Sequence, residues 1–295
     1  MKYKETTEDE YLLWESAKQG NIKKINQLIK KGVDLHSGND MALVQSAESG
    51  QLNTVKFLLN KGLKINTQLN APLRLAASRG HLKVVKFLIE NGADVHEIND
   101  EALEFAALNG HLDVVKFLEK KGSKLKNDYL LMETAERGKY NIVKYLLEKG
   151  TDPNGYNAGA LKNAIKQGHY NIIKLLLEKG ADVHLIKGND TIPKDESKLN
   201  KITKLLVKNG LDVKNNTSLI ASAILNGDLE LLRFLIKLGA NVNPVKDYIH
   251  YYAAKYGHKE MLDFLFKIKK FEKRIINGYN EILTEKKYES YNNDK

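Results

Sequence analysis

The chain has 295 residues, 42% hydrophobic and 28% charged, with no Cys and a formal net charge of +10. Zero Cys excludes disulfide frameworks, Cys-containing zinc sites and thiol nucleophiles, and no apolar run approaches the ~20 residues of a membrane span. The basic balance rests on 42 Lys against 5 Arg; Arg is the residue that forks onto phosphate or guanine, so charge alone argues weakly for nucleic acid.

The glycines organise the sequence. Pairs twelve residues apart recur at Gly20/Gly32, Gly50/Gly62, Gly80/Gly92, Gly110/Gly122, Gly138/Gly150, Gly168/Gly180 and Gly227/Gly239. The second members, with Gly210 between Gly180 and Gly239, step by 28 to 30 residues. A fixed spacing repeated this often predicts a repeat array with a period near thirty.

In chain order, residues 1–8 form a charged leader, acidic where a secretory signal would be apolar. That predicts a soluble protein in the cytoplasm, with the nucleus also open to it. The unit near 9–38 is an atypical first repeat, in which Trp14 reads as a packing residue of the N-terminal cap. Units near 39–68, 69–98, 99–126, 127–156 and 157–186 follow one pattern. Each carries a short helix between its two glycines, as in GHLKVVKFLIENG (80–92), with Leu82, Val85, Leu88 and Ile89 at helical spacing. Each also carries an earlier helix in which Leu73, Leu103 or Leu161 precedes a pair such as Ala76-Ala77, Ala106-Ala107 or Ala164-Ile165. Gly ends both helices because it accepts the left-handed conformation.

The unit near 187–216 is degenerate. Pro193, Lys194 and Asp195 fall where its first helix should pack. An interior Pro costs ~3 kcal/mol and two charges would enter the stack, so that helix is expected to be absent or displaced into a loop, as a decayed repeat, a hinge or an insertion site. Units near 217–244 and 245–270 follow, and 271–295 reads as a terminal helix with a polar tail.

The segment APLRLAASRGHLKVVKFLIENGADVH (71–96) resembles an ankyrin repeat, and looser copies extend the resemblance over about residues 9–270. The family's Thr-Pro-Leu-His survives only as Ala71-Pro72-Leu73-Arg74, so packing is retained while that hydrogen-bond network is mostly lost. The period is about three residues shorter than the family's, which predicts tight turns in place of β-hairpin fingers. Such short units are similar to the ankyrin arrays encoded in large numbers by giant DNA viruses such as mimivirus. The resemblance implies an all-α ankyrin-repeat solenoid of stacked helix-turn-helix units. It also implies a monomeric, non-enzymatic protein-binding scaffold, with an unidentified partner that would be a host protein if the viral likeness holds.

Nothing in the residues opposes that. No nucleotide-binding glycine loop, hydrolase nucleophile turn or zinc-type His spacing occurs, so no cofactor, metal, catalytic residue or small-molecule substrate is expected, and no membrane. His81, His111, His169 and His258 follow the first glycine and are expected to tie that turn to backbone groups; His36, His96 and His184 end repeats, and His250 takes a core Leu position. A basic ladder of Lys56, Lys86, Lys116, Lys144, Lys174, Lys204 and Arg233 marks one helical face. It supplies the alternative of polyanion or nucleic-acid binding. Glu90, Glu148 and Glu178 are placed to neutralise three of its members, and it reads as lacking the aromatic interleaving that single-stranded nucleic acid requires.

The surface expected to bind is the first-helix face, concave in the resembling family. Its variable positions nominate Leu75, Arg79, Phe105, Asn109, Glu133 and Arg137, with Tyr248, Tyr252 and Tyr256 in the last unit as aromatic anchors or end-covering residues.

Overall fold

The computed structural model of the protein describes residues 6–242 and the backbone of 246–267, with side chains for 251–265. Tyr248 and His250 as side chains, and the terminal segment 271–295, lie outside the described residues. The chain divides into two compact units, Met1–Asp152 and Pro153–Lys295.

The first unit is built from helix pairs. Its first helices are α1 (Glu8–Lys18), α3 (Ser37–Glu48), α5 (Thr67–Ser78), α7 (Glu97–Asn109) and α9 (Asn127–Glu136); its second helices are α2 (Ile22–Lys30), α4 (Leu52–Asn60), α6 (Leu82–Glu90), α8 (Leu112–Lys120) and α10 (Tyr140–Glu148). First helices pack on first helices from α1 through α9, and α4, α6 and α8 form a parallel layer. The close approach of first helices follows from their small residues. Ala47, Ala76, Ala77, Ala106, Ala107 and Ala135 are fully buried, as are the larger Leu43, Leu73 and Leu103 beside them. Second helices contribute Val55 and Leu58, Val85 and Leu88, Val115 and Leu118, Val143 and Leu146. Each fully buried aliphatic side chain is worth ~1.5–3 kcal/mol.

Thr7 opens α1 with a reciprocal cap: its hydroxyl accepts from the Glu10 amide at 3.2 Å while the Glu10 carboxylate accepts from the Thr7 amide at 2.8 Å. Trp14 donates its indole N–H to Ser37 Oγ at 3.1 Å and lies against the Cα of Gly38, so it packs the cap to the next repeat.

The tight turns between repeats have an unexpected conformation. Gly38-Asn39-Asp40, Gln68-Leu69-Asn70 and Ile98-Asn99-Asp100 each hold three successive residues at φ between 50° and 65°. Tyr156-Asn157-Ala158 does the same in the second unit. Each triplet is one turn of left-handed helix closed by a single i to i−4 bond, such as Asp40 N–H to His36 O at 3.2 Å. L-residues avoid this at roughly 1–2 kcal/mol apiece. Side chains offset the strain: Asp40 accepts from His36 Nδ1 at 2.6 Å and from the Lys64 amide at 3.0 Å, and Asp100 repeats this with His96 at 2.8 Å and the Lys124 amide at 3.1 Å. Asn70 instead donates to the Asp94 carbonyl at 2.8 Å. The shortened period is thus realised as a compact left-handed turn stapled to the following repeat.

The second unit contains α11 (Gly155–Gln167), α12 (Tyr170–Glu178), α13 (Leu199–Lys208), α14 (Thr217–Leu225), α15 (Leu229–Lys237), α16 (Lys246–Lys255) and α17 (Lys259–Lys267). Between α12 and α13 there is no α-helix, only short 3-10 turns at Val183–Leu185, Gly188–Thr191 and Glu196–Lys198. The turn Gly188–Thr191 occupies the slot between α11 and α14 that a first helix fills elsewhere. Thr191 and Pro193 are buried, whereas Lys194 and Asp195 are exposed, so the two charges stay out of the stack by abandoning the helix. Among the described residues no strand occurs, and no helix is long and apolar enough to cross a membrane.

Candidate protein-binding face

The first unit sets its candidate residues on three successive helices. Leu75 on α5, Phe105 on α7 and Glu133 on α9 share one register position, five residues before the glycine that ends the helix. All three are half-buried. Their neighbours one turn later, Arg79, Asn109 and Arg137, are exposed. Leu75 and Phe105 therefore present apolar surface at equal height on adjacent helices, inside a frame of polar residues.

That frame is held by specific bonds. Arg79 donates two bonds to Glu48 Oε1 on the preceding first helix, at 3.2 and 2.7 Å. Asn109 donates to Ser78 Oγ at 3.1 Å and to the Phe105 carbonyl at 2.8 Å. Arg137 lies 3.7 Å from Glu133. On the turn side, Arg74 forms an ion pair with Glu101, and Lys126 lies 3.6 Å from Glu104. Tyr129 sits among these carboxylates; burial first, then the charges of Glu133 and Glu104, push its hydroxyl pKa above the ordinary 10.0. A partner side chain placed here meets an apolar centre and paired charges that can re-pair at little cost.

Tyr252 and Tyr256 belong to the second unit, on α16, with ring centroids 6.3 Å apart and nearly parallel planes. Tyr252 is half-buried and Tyr256 exposed, and His258 stacks beside Tyr256 at 6.2 Å.

The sequence did not single out the turn tips. Leu69 is 62% exposed and Ile98 39% exposed, both in the left-handed triplets of the first unit, and Tyr156 is 62% exposed in the second. Large apolar side chains in strained, open turns are unusual, and the only signal for them was the shortened interval between repeats.

The basic ladder needs correction. Aromatic interleaving is present: Lys56 lies over the Phe87 ring at 5.3 Å, Lys86 over Phe117 at 5.7 Å and Lys116 over Tyr145 at 5.3 Å. Lys204 over Phe234 at 5.9 Å and Arg233 over Phe264 at 4.8 Å repeat it in the second unit. Each cation sits on the ring of the next repeat, so the ladder spends its charges in holding second helices together. Lys144 and Lys174 pair with Glu148 at 3.9 Å and Glu178 at 3.7 Å, while no pair between Lys86 and Glu90 is found among the described residues.

The histidines are structural where their partners are described. His81, His111 and His258 donate from Nε2 to the carbonyls of Glu48, Ser78 and Leu225 at 2.9, 3.0 and 3.0 Å. No cluster of three metal-ligating side chains occurs among the described residues.

Three comparisons with known proteins bear on this arrangement. No curated protein matches the sequence. Among solved structures, the crystal structure of the human ASB11 ankyrin repeat domain is similar, with a TM-score of 0.53, 22% identity, and coverage of 66% of this chain and 96% of that one. The family sequence model described as ankyrin repeats (3 copies) matches residues 13–99, 70–128, 103–187 and 196–277. Those matches take in well over half of the chain, and ankyrin repeats generally mediate protein–protein interaction: the chain belongs to the ankyrin repeat family.

Proposed function

We propose that the protein is a non-enzymatic scaffold that binds a protein partner through the first-helix face of its first unit. The observation that carries this is the pairing of Leu75 and Phe105: half-exposed apolar side chains at one register of adjacent helices, where the neighbouring positions are buried alanines and the surrounding charges are paired. Tyr252 and Tyr256 supply a separate aromatic contact in the second unit. The likeness to viral short-period arrays extends the reading to a host protein met in the cytoplasm, with this chain acting as a monomer.

Affinity capture with quantitative mass spectrometry tests it, comparing wild type with Phe105→Arg and Arg79→Glu after circular dichroism has shown equal helicity. Both substitutions should remove the same partners. A partner list unchanged by either sinks the face.

A further inference from the structure

The degenerate repeat leaves a cleft of about 560 Å³ in the second unit, within the size range of sites that hold small molecules and peptide side chains. One wall is α11, with Lys162 and Lys166; the opposite wall is the chain that replaces the missing helix, with Ile192, Pro193 and Lys194. The cleft exists because the slot between α11 and α14 is filled only by the 3-10 turn Gly188–Thr191, after which the chain runs extended instead of helical. The wall is anchored. Thr191 donates to the Gly188 carbonyl at 2.6 Å and accepts from Asn216 at 3.4 Å, and the Lys194 amide donates to the Lys166 carbonyl at 2.8 Å.

That last bond ties the backbones of two lysines together at the cleft. Lys162 is satisfied by Asp190 at 3.5 Å, but neither Lys166 nor Lys194 has an ion-pair partner among the described residues. Glu196 lines the same cleft without pairing to either. Lys162, Lys166 and Lys194 outnumber Asp190 and Glu196 in the lining, so the cleft carries a surplus of positive charge that a bound anion would meet. Ile192 and Pro193 add apolar surface beside the lysines.

We propose that this cleft binds an acidic peptide segment of a protein partner, a carboxylate engaging Lys166 and Lys194 while a neighbouring apolar side chain rests on Ile192 and Pro193. A cleft that adds apolar walls to a surplus of lysine fits a short peptide bearing both kinds of side chain better than a bare phosphate chain. The site is independent of the Leu75 and Phe105 face, so either can fail alone.

The probe is a fluorescein-labelled octapeptide alternating Leu and Glu, titrated with the full chain by fluorescence anisotropy at about 0.15 M salt. Binding should weaken tenfold or more in Lys166→Gln/Lys194→Gln, and persist in Lys86→Gln/Lys116→Gln, which alters only the basic ladder. Replacing Glu by Gln in the peptide should abolish it. All four substituted lysines are exposed, so folding is preserved, and thermal melting checks this. Saturation of the wild type with equal loss in both double variants would reduce the effect to general polyanion attraction and overturn the proposal. So would tighter binding of a single-stranded oligonucleotide lost with the same two lysines, or no binding of the peptide at millimolar protein.

Discussion

The ring of His81 lies against the Cα of Gly50, one repeat earlier, while its Nε2 donates to the Glu48 carbonyl at 2.9 Å. A Cβ on Gly50 would come within 2.6 Å of His81 Nδ1. His111 on Gly80 and His258 on Gly227 repeat the relationship. Gly50 is therefore required twice, for its φ of +72° and for the approach of the next repeat, whereas Gly62 at φ +98° has nothing within 4 Å. Gly62→Ala should cost about 1 kcal/mol from backbone strain alone. Gly50→Ala should cost about 2–3 kcal/mol, because the imidazole must move and lose its bond. In a urea-melt double-mutant cycle, His81→Ala should recover part of the Gly50→Ala loss; strict additivity would refute the contact.

The left-handed turns lead to a prediction of opposite sign. Ile98 is β-branched, held at φ 50° and 39% exposed, so it gives up conformational energy and recovers only part of it through burial. Ile98→Gly should raise stability by about 0.5–1 kcal/mol, strain relief outweighing the added entropy of the unfolded chain. Asp40→Ala in an equivalent turn should lose about 1–3 kcal/mol, since it orphans His36 Nδ1 and the buried-side Lys64 amide. Thermal melts of the two variants moving in the same direction would contradict the turn geometry.

These two cases divide what the residues announced from what they concealed. The glycine spacing was legible because positive φ at a helix end selects Gly at each copy, and Pro193-Lys194-Asp195 announced the lost helix because Pro cannot donate and charges cannot stack. Leu75 and Phe105 were legible as variable positions in a constant frame. The left-handed triplets were not: five of their twelve residues are neither Asn, Asp nor Gly, and Ile98 and Tyr156 carry no local preference for that conformation. The aromatic ladder was hidden for a different reason. Phe87, Phe117 and Tyr145 each follow a ladder lysine in sequence, but the ring meets the lysine of the previous repeat, a contact that exists only after stacking.

Tyr145 gives a pH dependence. It donates to Glu119, which also accepts from Lys149 at 3.3 Å. Burial and then the Glu119 bond raise the Tyr145 pKa above 10.0, and the Glu119 bond raises Lys149 above 10.5. Groups whose folded pKa is raised contribute stability that is complete below the unfolded pKa and lost as pH rises through the folded one. Wild type should melt above Tyr145→Phe near neutral pH, and the gap should close at alkaline pH beyond about 10. A gap that widens with pH would reverse the assignment.

Ring capping also decides how the basic face behaves toward polyanions. Lys56, Lys86 and Lys116 each sit on a ring of the following repeat, and Lys144 and Lys174 pair with Glu148 and Glu178, so the ladder is not an unbroken row of unengaged cations. A true track releases counterions and its affinity falls steeply but from a high starting point; scattered lysines release few and are outcompeted early. The chain should elute from heparin below about 0.2 M salt, and Lys86→Glu/Lys116→Glu should shift that elution only slightly. The same variant should lose about 1–2 kcal/mol of stability, because two cation–ring contacts between second helices disappear and two carboxylates face the rings of Phe117 and Tyr145 instead. Retention well above 0.2 M salt that vanishes in this variant, with the melt unchanged, would make the ladder a binding track rather than a clamp.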